Sequence, residues 1–540
     1  MPKEERRALV AELFEIITGR VKDFVLKHDS GRVIQTAIKY GSQEQRKMIA
    51  RELKGDYRTL AESRYAKFMI GKLLVHGDEE IRDLVIPEFY GHVRRMIKHP
   101  EAAWILDDVY RGAATPKQKA ILLREWYGAE FAIFRATTQD GGGSDLKTIL
   151  EENPEKRAPI MRSLFELINQ LVQKKTIAFT MLHDAMLQYY LNVVPGSEEA
   201  VEFVEFLKGD EEGDLLKNLA FTKSGARLVC LAFAYSNAKD RKVLLKTYKN
   251  TMQALAYDVN GHQVLLAAYE VIDDTVLTAK SIFSEFPTKD AKLEANDNQA
   301  DLLTYITHIT ARIPILYFFV AKPQSLLPAE DIALLKEINS IRSTTSKKDP
   351  EIRRKELARA LAPSLLSYIA THATDLVRTP LGCQFMSEVL LSAEGDKTSA
   401  LEAVAALTQA SPDTQAFLET PAASRMWKAL ALGGRFNQKT KKIDLAEPRL
   451  KFNDMLYQRI KDDVVAWMTG PNAFVVVGLL ESADFSYSEE LKATARRNRK
   501  KLQKAADGGK VADEGPDGEK DKAREAGRKG TMLLLGIIDS

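Results

Sequence analysis

An all-α fold, an α-helical solenoid of stacked hairpins, is predicted by three features of the sequence. Amphipathic helical stretches return at a period near 36 residues, turn signals return between them, and no stretch reads as a convincing β-strand. The chain has 540 residues, too many for one ordinary core, which leaves several domains or a repeat array. Apolar residues make up 45% and charged residues 28%, the balance of a folded soluble chain. The net charge is only +3, so attraction to a polyanion has to come from local charge.

The first unit is HDSGRVIQTAIKYG, His28 to Gly41. On a wheel of about 100 degrees per residue, Gln35 and Lys39 fall near Arg32, while Val33, Ile34, Ala37 and Ile38 form the opposite, core-facing arc. Ser42 with Gln45 makes a capping box for the next helix. The layout returns in RYAKFMIGKLL, with Lys67 in the place of Arg32, and in HPEAAWILDDVY, with Ala103 there. YGSQ, HGDEE and RGAATPKQ separate the units, Thr115-Pro116 reading as N-cap and first helical residue. YGAEFAIF opens a shorter unit, and TTQDGGGSD after it is a flexible loop by composition. GSEEAVEFVEFLKGDEEGD, residues 196–214, reads as an acidic solvated insertion. Later units centre on Arg227, Gln263, Gln384, Arg425 and Phe474. Each is too small to stand alone and buries its apolar stripe on its neighbours. ARIPILYFFVA, interrupted by Pro314, reads as a buried helix. After about Leu491 the chain turns charged and Gly-rich, a helix end followed by disorder, before TMLLLGIIDS supplies an apolar patch expected to dock.

Several functions are disfavoured by what the chain lacks. Cys230 and Cys383 lie in apolar helical runs with no CxxC pattern, which suits a reducing compartment and leaves no expected metal site. The first residues are Lys, Glu and Arg, not an apolar leader, and no apolar run reaches the ~18 residues of a membrane span. There is no GxxxxGK[ST], HExxH or GxSxG, and GGGS at Gly141 has no strand before it to make a phosphate cradle. No enzyme activity, cofactor, small-molecule substrate or membrane partner is expected.

A helical unit of about 36 residues bearing x-Arg-apolar-apolar-Gln resembles the Pumilio homology (PUF) repeat. HDSGRVIQTAIKYGSQEQR, LAESRYAKFMIGKLL, KHPEAAWILDDVY and QKAILLREWYGAEFAIF are similar to the Puf-A, or Penguin, branch, as are GHQVLLAAYEVIDDT and TPLGCQFMSEVLL further on. The resemblance covers roughly residues 5–490. It implies armadillo-like PUF repeats, about eleven in an L-shaped arrangement. Residues 1–150 would be N-terminal Puf repeats, 151–490 Puf-like repeats with a Penguin-type C-terminal region, and 491–530 a charged flexible tail. It also implies binding of RNA and DNA with little sequence preference and a nucleolar role in maturing the large ribosomal subunit. The partners would then be precursor ribosomal RNA and ribosome assembly proteins, with messenger RNA repression in fungi.

The residues themselves argue for weak sequence preference. A base-reading repeat uses two edge-bonding side chains one helical turn apart and a stacking side chain between them. The expected pairs are Gly31 and Gln35, Ala66 and Ile70, Ala102 and Leu106, Ala226 and Cys230, His262 and Leu266, Cys383 and Ser387, Ser424 and Lys428, and Ala473 and Val477. Most offer a base nothing directional. Charge remains: residues 1–76 hold 16 Lys/Arg against 10 Asp/Glu. Arg32, Lys39, Arg58, Arg64 and Lys67 lie on or beside the reading helices, and Arg94, Arg95 and Lys98 form a second cluster. With Gln35, Arg227, Gln263, Arg425 and Lys428 these are the candidate contacts, phosphate-directed and therefore blind to sequence, while Arg32 and Tyr65 could stack on any base. Trp104 and Trp427 fall in core slots on the wheel, and His28, His99 and His262 read as capping or turn residues. RRNRKK, residues 496–501, has the composition of a nuclear localisation signal, consistent with a nuclear and nucleolar address. Two competing readings stay open: a protein–protein scaffold with incidental RNA binding, and a sequence-specific messenger RNA repressor.

Overall fold

The computed structural model describes residues 3–128, 130, 145–209, 212–287, 301–437, 440, 442–507 and 518–539. It forms two compact units, Met1–Tyr235 and Ser236–Ser540. The first of these units takes in the expected N-terminal repeats and runs on to Tyr235. Residues on both sides of the Gly-rich stretch share one core: Trp126 donates its indole N–H to Met181 Sδ at 3.1 Å, and Arg94 bonds Ser163 Oγ at 3.1 Å. The loop expected at 137–145 lies, apart from Asp145, outside the described residues, as does most of YGAEFAIF.

Among the described residues the first unit ranks five inner helices side by side: α1 (His28–Tyr40), α2 (Lys67–His76), α3 (Ala102–Gly112), α4 (Thr180–Leu191) and α5 (Lys223–Tyr235). Short and third helices flank each of them. Both expected N-terminal signals hold. Ser42 and Gln45 form a reciprocal capping box, and Thr115 and Gln118 form another with Pro116 at the first helical position.

A second device repeats with the helices. A residue in the left-handed region opens successive repeats: Gly19 (φ 76°), Gly55 (φ 93°) and Gly91 (φ 83°). The two amides exposed by that turn are taken by one carboxylate from the third helical segment of the repeat. Glu52 accepts from Gly19 N and Val21 N, Glu88 from Gly55 N and Tyr57 N at 2.6 and 2.9 Å, and Glu125 from Gly91 N and Val93 N. Glu285 does the same for Asn250 N and Met252 N in the second unit. Each fork satisfies two otherwise orphaned donors at the start of a short helix.

The stretch read as an acidic insertion is instead a repeat's third helix. Ser197 caps Glu198–Lys208, which buries Phe203, Val204 and Leu207. Its acidic residues are the wet face of an amphipathic helix.

The second unit continues with α6 (Gly261–Val271) and α7 (Arg312–Leu316), the latter buried as expected despite Pro314. Two long helices follow, α8 (Ala329–Thr345) and α9 (Pro350–Leu376), then α10 (Pro380–Ser392) and α11 (Pro421–Leu432). An unexpected antiparallel hairpin comes next, β1 (Gly434–Asn437) with β2 (Lys442–Leu445), paired Gly434↔Leu445 to Asn437↔Lys442 and packed on α11. Strands of four residues are too short to show alternation, so sequence periodicity missed them. α12 (Ala473–Glu481) and α13 (Gly518–Asp539) close the unit.

The expected flexible tail is largely helical. Ser488–Arg497 and Arg499–Asp507 are helices, and α13 packs on α12 and on Arg499–Asp507, burying Thr531, Leu534 and Ile538. The apolar end docks as expected and holds the charged helices in place. Residues 508–517 lie outside the described residues. Arg496 and Arg499 of the basic run bond Ile538 O and Asp539, so part of that run fastens α13. Among the described residues no helix is long and apolar enough to cross a membrane.

Candidate nucleic-acid interface

The residue whose carbonyl accepts the first i→i−4 bond sets the phase of every inner helix. In chain order these starting residues include Lys27, Ser63, His99, Thr222, Asp258, Thr379 and Thr420. The first three are 36 residues apart, as are Thr222 and Asp258. Seven positions on stand Ile34, Ile70, Leu106, Val229, Leu265, Met386 and Trp427, all essentially unexposed; truncating one would cost ~2–5 kcal/mol. Five positions on stand Arg32, Phe68, Trp104, Arg227, Gln263, Gln384 and Arg425, each exposed or half-buried.

This phase corrects the expected register by one residue in the second and third repeats. Phe68 and Trp104, not Lys67 and Ala103, occupy the place of Arg32, and they are 55% and 54% exposed. The edge positions are Lys67 with Gly71 and Ala103 with Asp107, because Ala66, Ile70, Ala102 and Leu106 are core. Trp104 is thus a surface ring, seated edge-on at 4.9 Å against Phe179, whereas Trp427 is core as expected. Val33, placed on the core arc by the wheel, is 44% exposed.

Of the expected contacts, Arg32, Lys39 and Arg64 are exposed on or just before α1 and α2, with Gln35 half-buried between the first two. Lys39 lies 5.2 Å from the Tyr40 ring centre and Arg64 5.8 Å from that of Tyr65, whose ring meets His28 edge-on. Lys67 is paired with Glu101 at 2.6 Å. Arg95 is paired with Glu62 at 3.3 Å. Arg58 and Arg94 sit on the short helices and tie neighbouring segments together, Arg58 to His92 at 3.5 Å and Arg94 to Trp126 O and Ser163. They are inter-repeat staples rather than members of the outward row. Lys98 is exposed at the surface; partial desolvation of its ammonium, then the neighbouring charges of Arg94 and Lys174, lower its pKa. His99 caps α3 through Nδ1, which accepts from Ala102 N. The residues missed were Phe68, Trp104 and Lys72, one turn beyond Phe68; counting 36 from Lys27 to Ser63 to His99 would have found all three.

The row meets acid at its fourth member. Asp184 stands five positions beyond Phe179 on α4 and accepts from the Tyr110 hydroxyl at 2.6 Å. Asp107 lies buried on α3, accepts from Met181 N at 2.9 Å, and is pushed up to about 6 by that burial. Neither offers a phosphate anything.

In the second unit the same positions are clasped by the protein itself. Asp331 of α8 accepts from His262 at 2.7 Å and from Gln263 at 2.8 Å, and Arg342 of the same helix pairs with Glu270 of α6. Gln384 accepts from Arg312 at 2.6 Å. Arg425 stays exposed, and Lys428 sits 3.8 Å from Glu481 and 5.2 Å from the Phe474 ring centre. Arg227, on α5 of the first unit, is half-buried.

Repeated inner helices with one outward position per repeat define a helical-repeat solenoid of the kind that reads or grips an extended polymer. The comparisons narrow this class. Residues 308–442 match the CPL (NUC119) domain. Pumilio homology domain family member 6 of Schizosaccharomyces pombe is 34% identical over 503 residues, covering 93% of this chain and 75% of that protein. Pumilio homolog 3 of Rattus norvegicus is 32% identical over 406 residues, covering 75% of this chain and 59% of that protein. The crystal structure of human Puf-A superposes with a TM-score of 0.78 at 28% identity, over 99% of this chain and 96% of that one. Human Puf-A in complex with DNA gives 0.76 at 29%, over 94% of each. The chain belongs to the Pumilio homology (PUF) repeat family, in its Puf-A branch.

Proposed function

We propose that this chain is a non-catalytic nucleic-acid-binding scaffold that grips RNA or DNA by the sugar–phosphate strand with little regard to sequence. The observation that carries the reading is the outward row Arg32–Phe68–Trp104 on three adjacent helices, flanked by Lys39, Arg64 and Lys72, with no pair of polar side chains free to bond a base edge. Gly31 and Ala103 are buried, Asp107 is occupied by Met181 N, and position 71 is glycine. Exposed rings accept any base and cations accept any phosphate. The DNA held by the similar human Puf-A supports the same class of ligand here.

Titration of the full chain with an RNA and its scrambled versions tests this. Equal affinities that fall steeply with salt, by about 0.7 log unit per phosphate contact for each decade, are expected. A preference of about tenfold for one motif, ~1.4 kcal/mol, would overturn it.

Family membership extends the reading to nucleolar maturation of the large ribosomal subunit, with messenger RNA repression as an additional role and RRNRKK as a nuclear address. Crosslinking and sequencing of bound RNA in cells is expected to concentrate reads on large-subunit precursor RNA; reads spread evenly over cellular RNA would remove this extension. The clasped slots of the second unit favour a protein-binding role for that half, with ribosome assembly proteins as its partners. Arg32→Glu with Arg64→Glu is then expected to abolish RNA binding and to spare those partners.

A further inference from the structure

β1 and β2 fold over the outward side of α11 and convert an open slot into a pocket of about 750 Å3. Its apolar lining includes Leu391, Ala429 and Leu432, and the hairpin adds the Phe436 ring, 56% exposed, and Leu445. Lys322, Arg425 and Lys428 supply cations at the same pocket. Three carboxylates also line it, and two are already engaged. Glu388 is held by the Arg435 guanidinium at 2.6 and 2.9 Å, and Asp444 accepts from the Asn437 amide at 2.8 Å. Arg435 is thereby taken, and Lys428 lies 3.8 Å from Glu481, which leaves Lys322 and Arg425 as the cations without a carboxylate partner among the described residues, with Glu447 and the amide-bonded Asp444 on the same lining. Arg425 is exposed with no hydrogen bond or ion pair among the described residues.

We propose that this pocket holds one unpaired nucleotide, its base against the Phe436 ring and the apolar lining, its phosphate on Arg425 and Lys322. An apolar slot with an aromatic lip and a cationic rim matches a planar heterocycle joined to an anion, and the volume is that of a small-molecule site. The proposal rests on the reading of the chain as a nucleic-acid binder, and it adds to that reading a second contact, in a half-open pocket. The single-strand row of the first unit needs no such pocket, and duplex DNA has no unpaired base to offer it.

The test uses the full chain with Phe436→Trp as reporter and adenosine monophosphate as probe, the parent response being subtracted. Saturable quenching of the new indole is expected. Arg425→Glu should weaken it at least tenfold, and Arg425→Lys should keep most of it. Quenching that is absent, or indifferent to Arg425→Glu, overturns the proposal. So does an acidic, aromatic peptide that quenches and is not displaced by the nucleotide, which would make the pocket a protein-docking site. RNA binding by the parent is measured alongside. If RNA binds and the nucleotide does not quench, the pocket falls and the proposed function stands; if the nucleotide quenches and RNA does not bind, the reverse holds.

Discussion

In Met1–Tyr235 the outward position of the first three inner helices holds Arg32, Phe68 and Trp104, all exposed. In Ser236–Ser540 the same position holds Gln263, Gln384 and Arg425, and the first two are bonded to Asp331 and Arg312. The helical phase is the same in both, so the difference does not come from the repeat. It comes from what the chain inserts between repeats: α8 laid across α6, and the hairpin laid over α11. A solenoid exposes one row per repeat by construction, and an insertion long enough to fold back can fill that row with its own polar groups. One unit thereby keeps its surface for a ligand, and the other spends most of it on internal hydrogen bonds.

The largest expected effect comes from undoing the clasp. Asp331→Ala leaves His262, buried beside the old carboxylate, and Gln263 without their partner, and should destabilise the second unit by ~3 kcal/mol or more. Urea melts measure it. RNA affinity of the same variant should stay within about twofold of the parent; a gain of about tenfold, ~1.4 kcal/mol, would mean that α8 masks a second binding row and would break the comparison.

Next, Phe68→Ala with Trp104→Ala should weaken single-stranded RNA by roughly 2 kcal/mol, since stacking is worth ~1–3 kcal/mol per base. Because both rings are half-exposed, melting temperature should barely move. Unchanged affinity in anisotropy titrations would leave the row with charge alone.

The third test sharpens the acidic break in the first unit. Burial holds Asp107 at about 6, so the folded chain keeps a proton that the unfolded chain releases near pH ~4; that stabilisation is full below about pH 4 and is lost as pH rises through 6. Burial pushes His183 down to about 4, so the unfolded chain takes a proton below pH ~6.5 that the folded chain refuses, and stability falls on acidification. The two oppose each other between about pH 4 and 6. Asp107→Asn removes the first, so the variant should lose stability on acidification with a slope approaching ~1.4 kcal/mol per pH unit, steeper than the parent. Parallel pH profiles in urea melts would refute this assignment.

The smallest effect is expected from Glu88→Gln, which weakens one fork on Gly55 N and Tyr57 N and should cost ~1 kcal/mol. A loss confined to the first unit is expected, read as its own unfolding transition.

The period, the helical class, the capping box at Ser42, the N-cap at Thr115 and the docking C-terminal segment could be read from residue types, because a cap or an apolar stripe is a local pattern with a local cause. The phase of the second and third repeats could not be read by matching cations. Lys67 looks like the partner of Arg32, but the start of a helix is decided by which carbonyl takes the first N–H, at Ser63. Trp104 looked like core because a wheel records apolarity and not whether a neighbour arrives to cover it. Residues 491–507 looked disordered because their burial depends on α13, which joins them only through folding.

By itself, then, the sequence determined that this chain stacks amphipathic helices about 36 residues apart, since periodicity and residue chemistry are properties of the chain alone. Which of those helices keep an open face was decided only in three dimensions. Exposure is set by whatever else packs there, and Asp331, 68 residues from Gln263, is beyond the reach of any local pattern.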